Sequence, residues 1–253
     1  PSSAASDVYK RQLPQHAIHL ERLLPELLSF EQPADRVVSR YFREEKQLGN
    51  RDRALIAESA FAILRRKNEF SQFASSGEGS QARRLALLGL LSALSEGGLG
   101  SANRAESAIA DLAHVLKAGE YEWLQRFATV DPAALNPLIR NNLPEWLWDA
   151  FGQYPGEEAR EELAKSLMHP ALLDLRANTM KTNREELLAQ MNALGGRYQA
   201  IPTPYAPDGV RIMGKPALQN TAGFKAGMFE VQDEGSQLLA YLLAPKRGEM
   251  VVD

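Results

Sequence analysis

The sequence predicts a multi-domain chain of mixed class: an all-helical bundle, then a β-α-β-β-α-β subdomain, then the first helix and strand of a doubly wound sheet. Three observations carry this. From Leu13 to about Thr129 apolar residues recur three and four positions apart, the period of amphipathic helices. From Leu172 the period falls to two, with Leu173, Leu175 and Ala177 alternating with Asp174, Arg176 and Asn178, as in a half-buried strand with a polar outer face. Near the end, Met250-Val251-Val252 is an apolar run closed by Asp253, the form taken by the first strand of a doubly wound sheet. A chain of 253 residues also exceeds what one core ordinarily fills.

Composition bounds the chemistry. Hydrophobic residues make up 44% and charged residues 24%, the balance of a soluble globular protein. No apolar run approaches the ~20 residues that cross a bilayer as a helix. There is no cysteine, which removes disulfides, thiolate metal sites and a thiol nucleophile from these residues. His16, His19, His114 and His169 stand apart from any carboxylate cluster at ligand spacing, so no metal site is expected. A formal net charge of −3 supplies no global attraction to nucleic acid, and an RNA-binding role must rest on a local patch. Such a patch lies between Asp35 and Lys67, where nine basic residues stand against five acidic ones.

Taken in order, Asp7-Val8-Tyr9-Lys10-Arg11-Gln12 reads as a translated transposon adapter, so residues 1–12 are expected to be a sequencing scar. Lys10 and Arg11 are no signal-peptide n-region, because no apolar h-region follows. Residues 13–130 form the helical domain. Leu20, Leu23, Leu24, Leu27 and Leu28 make one face, Val37, Val38, Tyr41 and Phe42 the next, and Ile56, Ala60, Ile63 and Leu64 a third. Gly49 suits a left-handed helix end and Asn50 can cap the helix after it. Leu85–Leu94 is the central helix, and the glycines of 96–101 break the chain after it. Residues 131–170 read as a helical linker opened by prolines, with Trp146, Leu147, Ala150 and Phe151 as its apolar side and the tryptophans as packing anchors. Within 171–231, Thr182-Asn183-Arg184-Glu185 is a capping box, Leu187, Leu188, Met191 and Leu194 a buried stripe, and Gly195-Gly196 a helix stop. The Pro207-Asp208-Gly209 turn, the strand Val210–Met213, a helical turn at Pro216–Gln219 and the strand Met228–Val231 complete a ferredoxin-like or RNA-recognition-motif-like order. In 232–253, Asp233 can cap a helix carrying Leu238, Leu239, Tyr241 and Leu242.

The segment Val231-Gln232-Asp233-Glu234-Gly235-Ser236-Gln237 resembles the Val-Gln-Asp-x-x-Ser-Gln-like helix that precedes the S-adenosylmethionine loop in the NOP/Sun family of RNA cytosine-5 methyltransferases, of RsmB type. Leu175-Arg176-Ala177-Asn178-Thr179-Met180-Lys181 is similar to that family's Leu-Arg-Val-Asn-Thr-Leu-Lys, with Ala177 and Met180 as departures. The stretches Ala34–Val38, Gly49–Arg53 and Ile63–Lys67 are similar to the NusB-like helical domain that many such enzymes carry in front. The resemblance reaches back to about Glu21. It implies S-adenosylmethionine-dependent methylation of RNA, ribosomal RNA first, in a bacterial cytoplasm. In the family a cysteine thiolate adds to carbon 6 of a flipped cytosine and so activates carbon 5. With no cysteine and no glycine-rich loop, this chain is expected to be the RNA-binding front of such an enzyme, inactive alone. No catalytic, metal or cofactor-binding residue is assigned, and Asp253 stands next to where the cofactor loop would begin.

The RNA-binding candidates in the helical part are Arg36, Arg40, Arg51, Arg53, Arg65, Arg66 and Lys67, cations able to track phosphates. In the β part they are Arg176, whose planar fork suits a phosphate or a base edge, Asn178, a donor and acceptor on the same strand face, and Lys181. The same residues admit a structural reading: solvated helix ends for the first group, a pairing of Arg176 with Asp174 or another carboxylate, and a strand end for Asn178. Gln232 and Asp233 are read as a backbone hydrogen bond and a helix cap, with a direct role as the other possibility. The rival function is a stand-alone NusB-like RNA-binding or antitermination-type protein without enzymatic activity.

Overall fold

A computed structural model describes residues 3–95, 102–153, 156–169, 171–214 and 216–252. The expected glycine break at 96–101, Tyr154-Pro155 of the linker, Asp253 and the first two residues of the 1–12 segment lie outside them. The chain divides into two compact units, Pro1–His169 and Pro170–Asp253.

The first unit is all helix: α1 (Ser3–Leu27), α2 (Ala34–Glu44), α3 (Asn50–Arg65), α4 (Lys67–Phe73), α5 (Gln81–Leu94), α6 (Ala102–Leu112), α7 (Glu120–Ala128), α8 (Pro137–Arg140), α9 (Glu145–Phe151) and α10 (Glu157–Ser166). α5 is buried on every side, with Leu85, Leu87, Leu88, Leu90 and Leu91 all in the core. A helix apolar all round can sit only in the middle of a bundle. Against it pack the leucine stripe of α1 and the Ile56, Ala60 and Ile63 face of α3. Each leucine so buried contributes about 1.5–3 kcal/mol before entropy is charged. Gly89 sets the approach of α5 to α3. A Cβ there would lie 2.6 Å from Ile63 Cδ1 and 2.9 Å from the Ser59 carbonyl, so only glycine lets the two helices close this far.

One ion pair is sealed into this bundle. Arg83 on α5 donates from Nε and Nη2 to the Glu120 carboxylate at 2.5 and 2.8 Å, and from Nη2 to the Val115 carbonyl at 2.8 Å. Glu120 also accepts from the Lys117 N–H at 2.6 Å. Burial alone would raise the Glu120 carboxyl, but the Arg83 and Lys117 hydrogen bonds outweigh it and hold it below its ordinary range.

Two local expectations change here. Gly49 is extended rather than left-handed (φ −71°), because it caps α3 from outside. Its N–H donates back to the Asp52 carboxylate at 2.9 Å, and Asn50 is already the first helical residue. In α9 the packing anchor is Trp148, buried with Leu143 and Ala164, while Trp146 faces solvent. The Arg160 guanidinium lies 3.7 Å from the Trp148 ring centroid and so covers its face. Asn142 and Leu143 are bonded to Glu69 and Asn68, which ties the chain before α9 to α4.

The second unit runs β1 (Leu173–Ala177), α11 (Arg184–Leu194), β2 (Ala200–Pro202), β3 (Gly209–Ile212), α12 (Ala222–Lys225), β4 (Phe229–Val231) and α13 (Glu234–Leu243). The sheet order is β2-β3-β1-β4, antiparallel throughout, which is the ferredoxin-like arrangement expected of β-α-β-β-α-β. Leu175, Ala177, Val210, Ile212 and Phe229 face α11, whose Leu187 and Met191 close the core. Asn183, one residue after the expected cap, accepts from the Glu186 N–H at 2.9 Å, and the left-handed Gly195 and Gly196 (φ +67° and +56°) end the helix.

The other face of this sheet is not the open polar surface the alternation suggests. Asp174 is only 2% exposed, because α13 lies over it. α13 meets the sheet through polar residues. Glu234 and Gln237 turn inward, whereas Leu239, Tyr241, Leu242 and Leu243 stay exposed. Beyond it, Met250–Val252 forms no strand and is exposed. A strand exists only as a hydrogen-bonded ladder, and among the described residues none pairs with this segment.

The sealed ion pair makes a direct prediction. Glu120→Ala leaves the buried Arg83 guanidinium with only the partly buried Glu21 carboxylate, at 3.3 Å, and lowers the stability of the helical unit by about 3 kcal/mol. Glu58→Ala, which removes the surface partner of Arg65, costs under about 1 kcal/mol. Urea unfolding followed by tryptophan emission reads this unit alone, since Trp123, Trp146 and Trp148 are the chain's three tryptophans. Equal costs for the two variants would contradict the assignment.

Candidate nucleic-acid interface

Each candidate cation is positioned by its helix, and most are already engaged. On α3, Arg65 pairs with Glu58 at 3.0 Å. Arg66 forks onto Glu69 through Nε and Nη2 at 2.8 and 2.7 Å, with its guanidinium 5.4 Å from the Phe70 ring centroid. Arg53 donates to the Leu48 carbonyl at 3.0 Å and lies over Phe42. Lys67 Nζ stands 4.8 Å from the Phe30 ring centroid. These contacts hold helix ends in place. Arg51 is exposed at the start of α3.

An open positive surface lies on α2. Arg36, Arg40 and Arg43 share one face at helical spacing and line a groove of ≈ 370 Å³ with Gln32, Asp35 and Ser39. Seven residues of helix carry that row over about 10 Å. Arg40 is drawn to Glu26 and to Gln32, whereas Arg36 and Arg43 have no carboxylate partner among the described residues. Arg43 completes the row; it belongs to the basic patch of the sequence but was not among the RNA-binding candidates, although its i, i+4, i+7 relation to Arg36 and Arg40 is the signal that finds it.

In the second unit the site is built on one buried carboxylate. Glu234, in the first turn of α13, accepts from the N–H groups of Tyr205 at 2.6 Å and Ala206 at 2.9 Å. It also accepts from Arg211 Nη2 at 3.3 Å. Arg211 in turn forks onto Asp174 of β1 at 2.8 and 2.9 Å. Burial alone would raise the Glu234 carboxyl, but the Ala206 and Tyr205 amides, with Arg211, hold it below its ordinary value. Hydrogen bonding to Asp174 pushes Arg211 up. The network fixes α13 over the sheet and fixes the loop before β3.

α13 and the end of β1 then enclose a cleft of ≈ 360 Å³, lined by Arg176, Asn178, Met180, Glu230, Gln237 and Tyr241. Arg176 donates to Glu230 across the β1–β4 pair at 3.1 Å, so its partner is Glu230 and not Asp174. Asn178 is a loop brace: Nδ2 donates to the Gly227 carbonyl at 2.9 Å and Oδ1 accepts from the Met180 N–H at 3.2 Å. Lys181 Nζ donates to the Ala226 carbonyl at 2.7 Å. Asp233 caps α13, accepting from the Gly235 N–H at 2.8 Å. The Gln232 backbone N–H donates to the Asp174 carbonyl at 3.0 Å, while its side-chain Oε1 finds no donor. Tyr241 donates to the Asp208 carboxylate, a bond that raises its hydroxyl above the usual phenol range.

No cluster of metal-binding side chains occurs among the described residues. Met250–Val252, read in the sequence as a strand leading to a cofactor loop, builds no strand. No helix among the described residues is long and apolar enough to cross a membrane.

Comparison with known proteins agrees with this architecture. A family profile described as "Methyltr_RsmF/B-like, ferredoxin-like domain" matches residues 143–219, starting at α9 and running through β3. A probable ribosomal RNA small subunit methyltransferase B from Bacillus subtilis (strain 168) is 32% identical over 139 residues, 55% of this chain and 30% of that protein. A ribosomal RNA small subunit methyltransferase B from Xylella fastidiosa (strain 9a5c) is 30% identical over 222 residues, 80% of this chain and 49% of that protein. The chain thus spans at most about half the length of these relatives. The crystal structure of PH0851 matches with a TM-score of 0.57 at 20% identity, over 94% of this chain and 56% of that one, a likeness of fold.

The Glu234 network predicts a pH dependence with a definite sign. Because the folded carboxyl titrates below its unfolded value, the stability it contributes is complete above about pH 4.5 and is lost as pH falls through the folded pKa. Protection of the Tyr205 and Ala206 amides against hydrogen exchange should fall in that range. In Glu234→Gln it should be lower at neutral pH, by about 1.5–3 kcal/mol, and no longer follow this titration. Unchanged protection would remove Glu234 from its role.

Proposed function

We propose, from the premise that this chain belongs to the NOP/Sun family of RsmB-type methyltransferases, that its share of the family's work is to dock RNA. The parent reaction is S-adenosylmethionine-dependent methylation of ribosomal RNA at carbon 5 of cytosine, in the cytoplasm. These 253 residues contain no cysteine, so the thiolate that such chemistry needs is not among them and they transfer no methyl group by themselves. What they supply is the hold on the RNA backbone.

The observation that carries this is the open arginine row on α2. Arg36 and Arg43 face solvent, and Arg40 needs only to leave an exposed partner to join them. Phosphates displace such surface pairings easily, because an exposed ion pair contributes little. Arg51 extends the set. Arg53, Arg65, Arg66 and Lys67 come second, since each is committed to a neighbour. In the β unit, Arg176 is the exposed cation beside the cleft, while Asn178 and Lys181 act through the loop they brace. The antitermination-type alternative draws support from the helical unit alone, whereas the profile match over 143–219 favours the methyltransferase reading.

Structured ribosomal RNA fragments should bind with an affinity that falls steeply with salt, the logarithmic slope counting neutralised phosphates. Reversing Arg36, Arg40 and Arg43 to glutamate should weaken binding at low salt at least tenfold and flatten the slope by about two to three units. Reversing Arg65 and Arg66 should change it less. An unaltered slope in the α2 variant would contradict the proposal. Titration of the chain with S-adenosylmethionine should give no saturable heat, and specific micromolar binding would overturn the assignment of cofactor binding outside these residues.

A further inference from the structure

The cleft between β1 and α13 carries more chemistry than phosphate docking requires. Its volume of ≈ 360 Å³ falls at the lower end of the range that encloses small ligands. Gln237 lines it and is 1% exposed. The amide Nε2 donates to the carbonyls of Gln232 at 2.9 Å and Leu175 at 3.3 Å. Two carbonyl partners decide which end of the amide is nitrogen. The other end, Oε1, is buried and receives no hydrogen bond. This amide is therefore fixed in orientation and braces the floor of the cleft.

The rim has a matching character. Tyr241 is half exposed, and its hydroxyl is anchored on Asp208. Met180, 94% exposed, stands at the tip of the loop braced by Asn178. A phenol ring and a thioether offer flat, polarisable surface. Among the charged groups lining the cleft, one guanidinium, Arg176, is set against two carboxylates, Asp208 and Glu230. That balance disfavours a phosphate. It favours an uncharged ring whose edge is rich in donors, with the exposed Arg176 guanidinium able to turn to a ring carbonyl and the Glu230 and Asp208 carboxylates to ring N–H and amino groups.

We infer that this cleft takes one unpaired nucleobase of single-stranded RNA and reads its hydrogen-bonding edge, accepting guanine most readily and uracil least. Guanine presents an N–H and an amino group beside its carbonyl, whereas uracil presents one N–H between two carbonyls. The inference rests on the RNA reading above, but it concerns different residues, in the other unit from the α2 row, so the two fail separately.

The test uses the full chain and short, unstructured, labelled RNA oligonucleotides that differ in one central base, with binding read by fluorescence anisotropy at fixed salt. The oligonucleotide with central guanine should bind about tenfold more tightly than that with central uracil. Tyr241→Leu should weaken binding of the guanine oligonucleotide about tenfold while circular dichroism stays native. Asp208→Asn exchanges acceptor for donor at constant shape and should narrow or reverse the guanine preference. The α2 triple reversal should weaken all oligonucleotides alike and leave the preference intact. Equal affinities for all central bases in the unaltered chain, with salt dependence retained, would overturn the base-reading cleft and leave backbone docking standing. A preference that survives Asp208→Asn unchanged would overturn it too. No binding of any oligonucleotide would remove both readings.

Discussion

Glu234 is the carboxylate on which the β unit depends. A helix that lies on a sheet ordinarily presents apolar residues to it, yet α13 presents Glu234 and Gln237, because what waits beneath is polar. Asp174 and Arg211 neutralise each other on the strand surface, and the Tyr205 and Ala206 amides of the loop before β3 need an acceptor. One buried carboxylate answers both the guanidinium and the amides. Removing it would leave donors buried without partners, a cost larger than the network's net gain over an apolar alternative. The cleft at the end of β1 follows from this arrangement, since α13 forms one of its walls.

The helical unit uses the same device in Arg83 and Glu120, beside the apolar packing around α5. Its surface differs in kind from the cleft. The α2 row is a set of exposed guanidinium groups on a rigid helix, suited to phosphates and blind to sequence. The cleft mixes one cation with two anions, a buried amide and an aromatic ring, suited to a base and poor at holding phosphate. On the proposed reading, affinity and discrimination fall to different residues, a division common in nucleic-acid recognition.

Much of the fold is legible in the residues. The leucine stripe of α1, the apolar run of α5 and the alternation of β1 need only local periodicity, and all three form as read. Asp233 as the cap of α13 is equally local. Three features escape because they depend on distant partners. Asp174 looks like an outward strand residue until Arg211, thirty-seven residues on, and Glu234 enclose it. The leucine-rich sequence of α13 does not show which side meets the sheet, and the sheet beneath calls for Glu234. Met250–Val252 has the composition of a strand, and composition cannot supply the neighbour that a ladder requires. Among the candidate cations, the pairs Arg65–Glu58 and Arg66–Glu69 were readable from helical spacing, which would have shifted attention to Arg36 and Arg43.

The central claim is that RNA engages α2 through its phosphates and the β1–α13 cleft through a base. The most direct measurement is hydrogen exchange of the full chain with and without a short single-stranded RNA that carries a central guanine. The account predicts added protection in three stretches, α2, 175–181 and 234–241, with α5 and α11 unchanged. Protection confined to α2, or spread over helices that touch neither surface, would contradict it.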